Sequence, residues 1–359
     1  MANLYLVLVA ALAVVTLLPL SRSHRWWVRM WDFPRLQIAG AQVACLGAAW
    51  LAPPPLRWVA VAATLPCLAL HLVRIWPFTP LAPKEMRFAR PRADGAEVTL
   101  LSANVLMQND RFGAVRDLID GADPDVVLLM ETDRRWLDAL MPALSRYPTL
   151  LHEPRDDCYG LVFATRLPVE EARIVHLTPD RKPAVFAALA TPSGRPFRFV
   201  GLHPQPPVPG VDTEERDAQI LYASRFAHKD AVPQVTMGDF NDAAWSDTAQ
   251  LFKRYGRYLD PRVGRGLYAS FHASNWLIRC AIDQLYVTEE VAVVDFRVGG
   301  RIGSDHFPIL ARVRIDAEEA RGLNIAPPRL TDEERAELQE RMEDYRRALE
   351  QGPAARGAD

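Results

Sequence analysis

Cysteine is scarce, four in 359 residues, which excludes a disulfide scaffold, and nineteen glycines exclude a collagen-like repeat. Neither acid nor base dominates: the formal net charge is −2 and 49% of residues are hydrophobic, so the chain is not disordered. There is no internal repeat. No charged residue occurs before Arg22. A secretory signal peptide needs a basic leader and a small-x-small cleavage site, and neither precedes that arginine. A basic run interleaved with aromatics, the usual footprint of a nucleic-acid surface, is also missing beyond the first 92 residues. The nearest approach is residues 254–265 (RYGRYLDPRVGR), which would equally suit a lipid headgroup or another phosphate.

The near-zero net charge is a sum of unlike sections, in a chain long enough for roughly two to three domains. Residues 1–92 carry 10 Lys/Arg against 2 Asp/Glu, residues 93–315 carry 25 against 30, and residues 316–359 carry 7 against 12. The basic section holds three apolar runs, at 4–20, 36–52 and 58–73, separated by Arg22-Ser-His-Arg-Trp-Trp-Val-Arg-Met-Trp and by Pro53-Pro54-Pro55. Tryptophan and arginine at the ends of apolar runs mark a membrane–water boundary. The expectation is a three-helix transmembrane anchor over 1–80, a juxtamembrane linker over 81–97, a catalytic domain over 98–316 and a charged C-terminal linker, helix and tail over 317–359. Arg22, Arg25, Arg29 and Arg35 in the first loop outnumber Arg57 in the second, which by the positive-inside rule places the following domain in the cytoplasm.

From residue 98 the texture changes to alternating strand and helix signals. Strands are expected at 98–105, 125–131, 160–165, 172–177, 184–191, 197–203, 234–237, 281–288, 291–298 and 309–315. Helices are expected at 112–121, 134–145, 214–229 and 331–350, the last opened by a Thr331/Glu334 capping box and charged nearly all round, as a solvated or partner helix would be. Such a mixture gives an α/β or α+β layered domain.

The residues able to carry chemistry fall at strand ends and just after them. Asn104 closes the first strand and Glu131 the second. His203 follows a strand in Gly-Leu-His-Pro, Asp239 and Asn241 stand in Gly-Asp-Phe-Asn, Asp283 lies inside an apolar strand, and Asp305-His306 precedes the last strand. Each alone is compatible with a plain turn, although a buried Asp283 demands a partner. Together, carboxylates and an amide without a cysteine pair form hard oxygen donors, suited to Mg²⁺ or Mn²⁺ rather than zinc. Histidines beside acids add proton transfer or charge stabilisation, a set that fits metal-assisted attack of water on a phosphoester.

In order, SANV, LLMET, GLHP, GDFN, IDQLYV and GSDHFP resemble the endonuclease/exonuclease/phosphatase superfamily over residues 98–315. The N-terminal runs and Trp245-Ser-Asp are similar to a membrane-bound bacterial branch linked to teicoplanin resistance. The resemblance implies a four-layer sandwich, two packed mixed β-sheets flanked by helices, with the site at one rim. It implies Glu131 as main metal ligand, completed by Asn104 and Asp305. Asp239 would orient or deprotonate the attacking water, and Asn241 would hold that water or a phosphate oxygen. His306, bonded to Asp283, would stabilise the transition state, and His203 would contact the phosphate from the opposite side. A carboxylate orients this second histidine in several members, and Asp157 is the candidate here. Gln284 stands where many relatives carry an aromatic or histidine.

The expected function is a membrane-anchored, divalent-metal-dependent phosphoesterase, acting on a lipid-linked or other small phosphoester at the bacterial inner membrane. The acidic balance of 93–315 places a membrane-tethered nuclease second, because nucleic acid is bound by neutralising its phosphates. An inactive scaffold binding a protein partner through the C-terminal helix comes third. The resistance-type resemblance implies an extracytoplasmic domain, opposite to the arginine count, and the outward reading is preferred.

Overall fold

The computed structural model describes residues 2–21, 23–177, 182–224, 232–328 and 330–351. Four helices come first: α1 (Ala2–Leu17), the short α2 (Trp26–Arg29), α3 (Arg35–Ala48) and α4 (Pro54–Ile75). Two stretches, Asn3–Ser21 and Pro54–Phe78, are long and apolar enough to cross a membrane, with mean hydropathies of 2.5 and 1.7. Only 17% and 33% of these windows are buried, whereas the core helix of a soluble protein is mostly covered. The middle apolar run, 36–52, forms α3 of 14 residues, continued by a 3₁₀ turn over Ala49–Leu51, and is not among the stretches that reach spanning length as one helix. The triple proline ends this segment and also starts α4, whose first positions hold Pro54 and Pro55, where a missing N–H costs nothing. Inside the bundle Gln42 donates to Thr16 at 2.9 Å, and Thr16 lies 3.0 Å from His71 Nε2, so polar groups face one another.

The strands and remaining helices follow in chain order: β1 (Glu97–Asn104), α5 (Phe112–Ala122), β2 (Val126–Met130), α6 (Arg134–Leu144), β3 (Thr149–Glu153) and β4 (Leu161–Thr165). Next come β5 (Val169–His176), β6 (Pro183–Ala190), β7 (Pro196–Leu202), α7 (Glu214–Ser224), β8 (Gln234–Asp239), α8 (Asp247–Tyr255) and β9 (Tyr258–Leu259). The chain closes with β10 (Asp283–Thr288), β11 (Val291–Val298), β12 (Ile309–Ile315), α9 (Ala317–Leu323) and α10 (Asp332–Gln351). One sheet runs β11-β12-β1-β2-β4-β3 and the other β5-β6-β7-β8-β10-β9. β3, β9, α8 and α9 escaped the sequence reading. The helix expected over 214–229 ends at Ser224, its remaining positions lying outside the described residues.

Alternation along each strand produces the four layers. In β1 and β2, Val98, Leu100, Val126, Leu128 and Met130 point into the core shared by both sheets, where Phe199, Val235, Met237 and Leu285 meet them. Their neighbours Leu101, Ala103, Val127 and Leu129 point outward onto Ile119, Trp136 and Leu140 of α5 and α6. The second sheet is covered by Ile220 of α7 and Phe252 and Tyr255 of α8. Both faces of β2 are therefore apolar, which is why its sequence is an unbroken hydrophobic run. α10 lies over α7 and α8, with Leu330 and Leu338 against their apolar cluster and Glu334 paired with Arg254. Its capping box forms as read: Thr331 N–H donates to Glu334 at 2.9 Å and Glu334 N–H to Thr331 Oγ1 at 3.2 Å.

The helical bundle is docked on the sandwich. Trp245, 1% exposed, donates its indole N–H to the Asp32 carbonyl at 2.6 Å and meets the Phe78 ring edge-on. Ser246 caps α8, and Asp247 pairs with Arg74 at 2.5 Å. Trp245-Ser-Asp is thus a joint between the two parts. A second joint runs through His24, whose Nδ1 lies 3.0 Å from Asp217 and whose carbonyl accepts the Thr213 N–H at 2.8 Å. The segment 81–97 follows the sandwich surface: Met86 is buried in the shared core and Ala89 N–H donates to the Val293 carbonyl. Trp245→Ala removes a large buried ring together with the indole bond, and is expected to cost about 3–5 kcal/mol. The readout is the thermal midpoint of the full-length chain in detergent, and an unchanged midpoint would show that this contact does not join the parts.

Candidate active site

Register brings the chemically capable residues to one rim. Asn104, last in β1, pairs with Met130, so Glu131 emerges beside it. Leu202 of β7 pairs with Gly238 of β8, placing His203 next to Asp239, and Asp239 pairs directly with Asp283 of β10. Asp283 therefore opens its strand instead of lying within it, a correction that moves its carboxylate to the rim. Two glycines permit the convergence. A Cβ on Gly238 (φ +147°) would lie 2.1 Å from the Leu202 carbonyl oxygen, and one on Gly160 would lie 1.7 Å from that of Thr132, next to Glu131. Glu131 and Asn241 themselves adopt left-handed backbone, at φ 60° and 45°, strain that clusters at functional positions.

Asp239 Oδ2 is the focus. It accepts a hydrogen bond from Asn104 Nδ2 at 3.1 Å and is faced by His306 Nε2 at 3.6 Å and His203 Nε2 at 3.9 Å. The two imidazole distances exceed a direct hydrogen bond and leave room for a small oxygen group between. Asp239 Oδ1 accepts the Asn241 N–H at 2.9 Å, and Asn241 Nδ2 donates to the Pro204 carbonyl, tying the His203 loop to the Asp239 loop. His306 Nδ1 lies 2.8 Å from Asp283, a bond that fixes the ring.

Burial sets the charges. It would lower the His306 pKa, but Asp283 and Asp239 override it and hold the imidazolium up to about 10. His203, also buried, is pushed down by desolvation and stays neutral near pH 7. The Asp239 carboxyl is raised by burial, with the histidines and the Asn104 amide pulling against the rise, which makes it a stronger base than an exposed aspartate. Burial likewise raises Glu131, and Asp305 adds to it, while bonds from Asn104 Nδ2 (2.8 Å) and Met107 N–H (3.3 Å) oppose the rise.

Glu131 and Asp305, both partly exposed, offer all-oxygen donors that a hard divalent cation would satisfy. Asn104, expected among the metal ligands, lies between the two acids of the site. Its Oδ1 accepts the Leu106 N–H at 3.0 Å, so its Nδ2 is turned to bridge Glu131 and Asp239. Asp239, Asp283 and His306 also lie close enough to surround a cation, but the Asp283–His306 bond already occupies one nitrogen and one carboxylate oxygen there. The orienting role expected of Asp157 is corrected. Its carboxylate is taken by Arg155 Nε at 3.0 Å and the Tyr159 N–H at 3.2 Å, and His203 Nδ1 has no hydrogen-bond partner among the described residues.

Sequence reasoning missed Tyr159, whose ring lies tilted against His203 with centroids 5.2 Å apart, and Lys182, whose ammonium lies 3.4 Å from the Tyr159 ring centre. It also missed Arg216, fully buried, which donates to the Asn241 carbonyl at 3.0 Å and sits 3.4 Å from Asp242. Asp242, desolvated, titrates at about 7. A signal was available, since Asp242 directly extends Gly-Asp-Phe-Asn. Gln284 proves structural, bonded to Arg262 and to the Asp242 carbonyl.

The raised His306 fixes a pH dependence. Its folded form binds a proton more tightly than an unfolded histidine near 6.5, so the pair stabilises the fold fully below that pH. The contribution is lost as pH rises through about 10. Asp283→Asn is expected to cost about 3–5 kcal/mol at acid to neutral pH by stranding a buried charge. Denaturant titrations across that window should show the gap to wild type closing on the alkaline side; a gap independent of pH would count against the charged pair.

The family model described as Endonuclease/Exonuclease/phosphatase family matches residues 101–306. None of the curated proteins matches the chain. Among solved structures, the human Nocturnin catalytic domain with a bound sulfate anion superposes with a TM-score of 0.51 at 17% identity, covering 64% of this chain and 97% of that one. An endonuclease/exonuclease/phosphatase family protein from Bacteroides thetaiotaomicron gives 0.51 at 17%, covering 62% and 96%. D. rerio TDP2 complexed with a single-strand DNA product gives 0.50 at 17%, covering 61% and 99%. At such identities these structures speak for the fold, two mixed sheets flanked by helices. The family model spans more than half of the sequence, and the chain belongs to the endonuclease/exonuclease/phosphatase family of metal-dependent phosphoesterases and nucleases.

Proposed function

We propose that the chain is a membrane-anchored phosphoesterase that uses Mg²⁺ or Mn²⁺ to hydrolyse a lipid-linked or other small phosphoester. The observation that carries this reading is the convergence of one amide and two imidazoles on Asp239 Oδ2, in a domain docked to helices of spanning length. Glu131 and Asp305 would hold the cation, which when bound screens the phosphate and stabilises the leaving oxygen. Asp239 takes the proton of the attacking water as its oxygen bonds to phosphorus. The bond to the leaving oxygen then breaks with its electron pair, and solvent supplies that oxygen's proton. The His306 imidazolium, oriented by Asp283, faces the charge that grows on the phosphoryl oxygens. His203 and Asn241 contact the phosphate and position the water.

Trp245-Ser-Asp, which joins sandwich to bundle, supports a place in the membrane-bound branch linked to teicoplanin resistance. The site would then face phosphoesters outside the bacterial inner membrane. The excess of acid over base in residues 93–315 weighs against DNA as substrate. Purified full-length enzyme should release product from a phospholipid or undecaprenyl phosphoester only with Mg²⁺ or Mn²⁺ present. Glu131→Ala and His306→Ala should each lower the rate by about 10²–10³-fold. Cleavage of DNA alone would favour the nuclease reading, and variants equal to wild type on every substrate would overturn the enzymatic one. A C-terminal reporter active only outside the cytoplasm is the expected result for sidedness.

A further inference from the structure

The segment 271–280 closes the active site on one side. Phe271 makes backbone bridges to both Cys280 and His306, its ring lies 5.0 Å from the His306 ring, and the Ala273 N–H donates to the Asp305 carbonyl at 2.6 Å. Beyond these contacts the chain turns outward, and Trp276, Leu277 and Ile278 are 77%, 56% and 48% exposed. The turn is built: Asn275 Oδ1 accepts the Leu277 N–H at 3.0 Å, and Arg279 is folded back onto the Phe307 ring and the His272 carbonyl. Among the described residues of the sandwich, no other three consecutive large apolar side chains are exposed. Such a patch on a domain with a complete core marks a surface that another phase or partner covers.

Its position identifies what covers it. Gln37, in the first turn of α3, donates to the Leu277 carbonyl at 2.8 Å, so the turn stands level with the end of the bundle nearest the sandwich. At that same end Trp27 and Trp76 are 43% and 49% exposed, and at the opposite end Trp50 and Trp58 are 62% and 59% exposed. Trp58 and Trp76 bracket α4 and stand about 27 Å apart at the helical rise, close to the ~30 Å of a hydrocarbon core. Two tryptophan girdles at that separation mark the two boundaries of a bilayer.

We infer that the Trp276–Ile278 turn lies in the near boundary, as a membrane contact made by the catalytic domain itself. This turns the mouth of the site, through Phe271 and His306, toward the lipid surface. The substrate class is then an amphiphile whose phosphoester stays at the headgroup level. The inference rests on the proposed membrane anchoring, and the experiment separates the two.

The full-length chain carrying Cys158→Ser, with its other cysteines buried, is labelled with a polarity-sensitive fluorophore at Trp276→Cys or, for reference, Leu72→Cys on α4, and reconstituted into phosphatidylcholine/phosphatidylglycerol vesicles. Nitroxide-bearing lipids should quench both labels, and aqueous iodide neither. If only the Leu72 position is quenched by lipid, the anchor stands and this proposal falls; if neither is, both fall. In parallel, Trp276→Ser/Leu277→Ser/Ile278→Ser should lose roughly tenfold on a vesicle-borne phosphoester while a soluble phosphodiester is cleaved within about twofold of wild type. Equal losses on both substrates, or none on either, would overturn it.

Discussion

The residues from Asp239 to Trp245 form an uninterrupted buried run, and the two halves of the molecule depend on it. At its start, Asp239 collects the amide and imidazoles of the site. At its end, Trp245 is bonded to the Asp32 carbonyl of the helical bundle. Between them, Arg216 holds the Asn241 carbonyl and faces Asp242, while its other donors engage Asp217, which meets His24 of the helical bundle. A buried guanidinium tolerates loss of neither carboxylate, because an unpaired charge there is expensive. The backbone that positions the base is thus clamped by the same ion network that docks the helices.

Site geometry and the docking of the helical bundle therefore share one set of constraints. The glycine at 238 belongs to this account, since only its bare Cα lets β8 approach the end of β7 closely enough for His203 and Asp239 to share a space. So does the division of protonation. Two histidines face one carboxylate, yet the one with its own aspartate is pushed up in pKa and the one lying against Tyr159 is pushed down by burial. Environment, not residue type, distinguishes an electrostatic clamp from a neutral hydrogen-bonding group.

Much of this was legible locally. Asn104, Glu131, His203, Asp239 and His306 stand out in the sequence because an acid, amide or imidazole ending an apolar run is a local pattern, and the structure brings them to one rim. What escaped depends on partners distant in sequence. Asp157 lies near His203 in the chain's order of motifs, yet Arg155, two residues away, takes its carboxylate first. The bridge that the Asn104 amide makes between Glu131 and Asp239 depends on the Leu106 N–H, which sets the way the amide faces. Arg216 and His24 sit in stretches with no motif, and only packing reveals that they meet Asp217. Apolar composition over 36–52 gives no sign that α3 continues as a 3₁₀ turn or that Pro54 and Pro55 already belong to α4.

The docking also bears on sidedness. Four arginines between the first two apolar runs argued for a cytoplasmic domain, on the premise that positive loop charges serve topology. Two of them have another task. Arg29 and Arg35 are 7% and 1% exposed, and both face Asp32, at 3.6 and 2.6 Å. That aspartate's backbone receives the Trp245 indole, so these arginines brace the joint between bundle and sandwich whichever way the chain is inserted. A charge with a structural reason to be present is no longer independent testimony about orientation. Removing the pair from the count leaves Arg22 and Arg25 against Arg57, a difference of one, so the loop count weighs little for either side, and the cytoplasmic reading rests on Lys84, Arg87, Arg90 and Arg92 after the last apolar run.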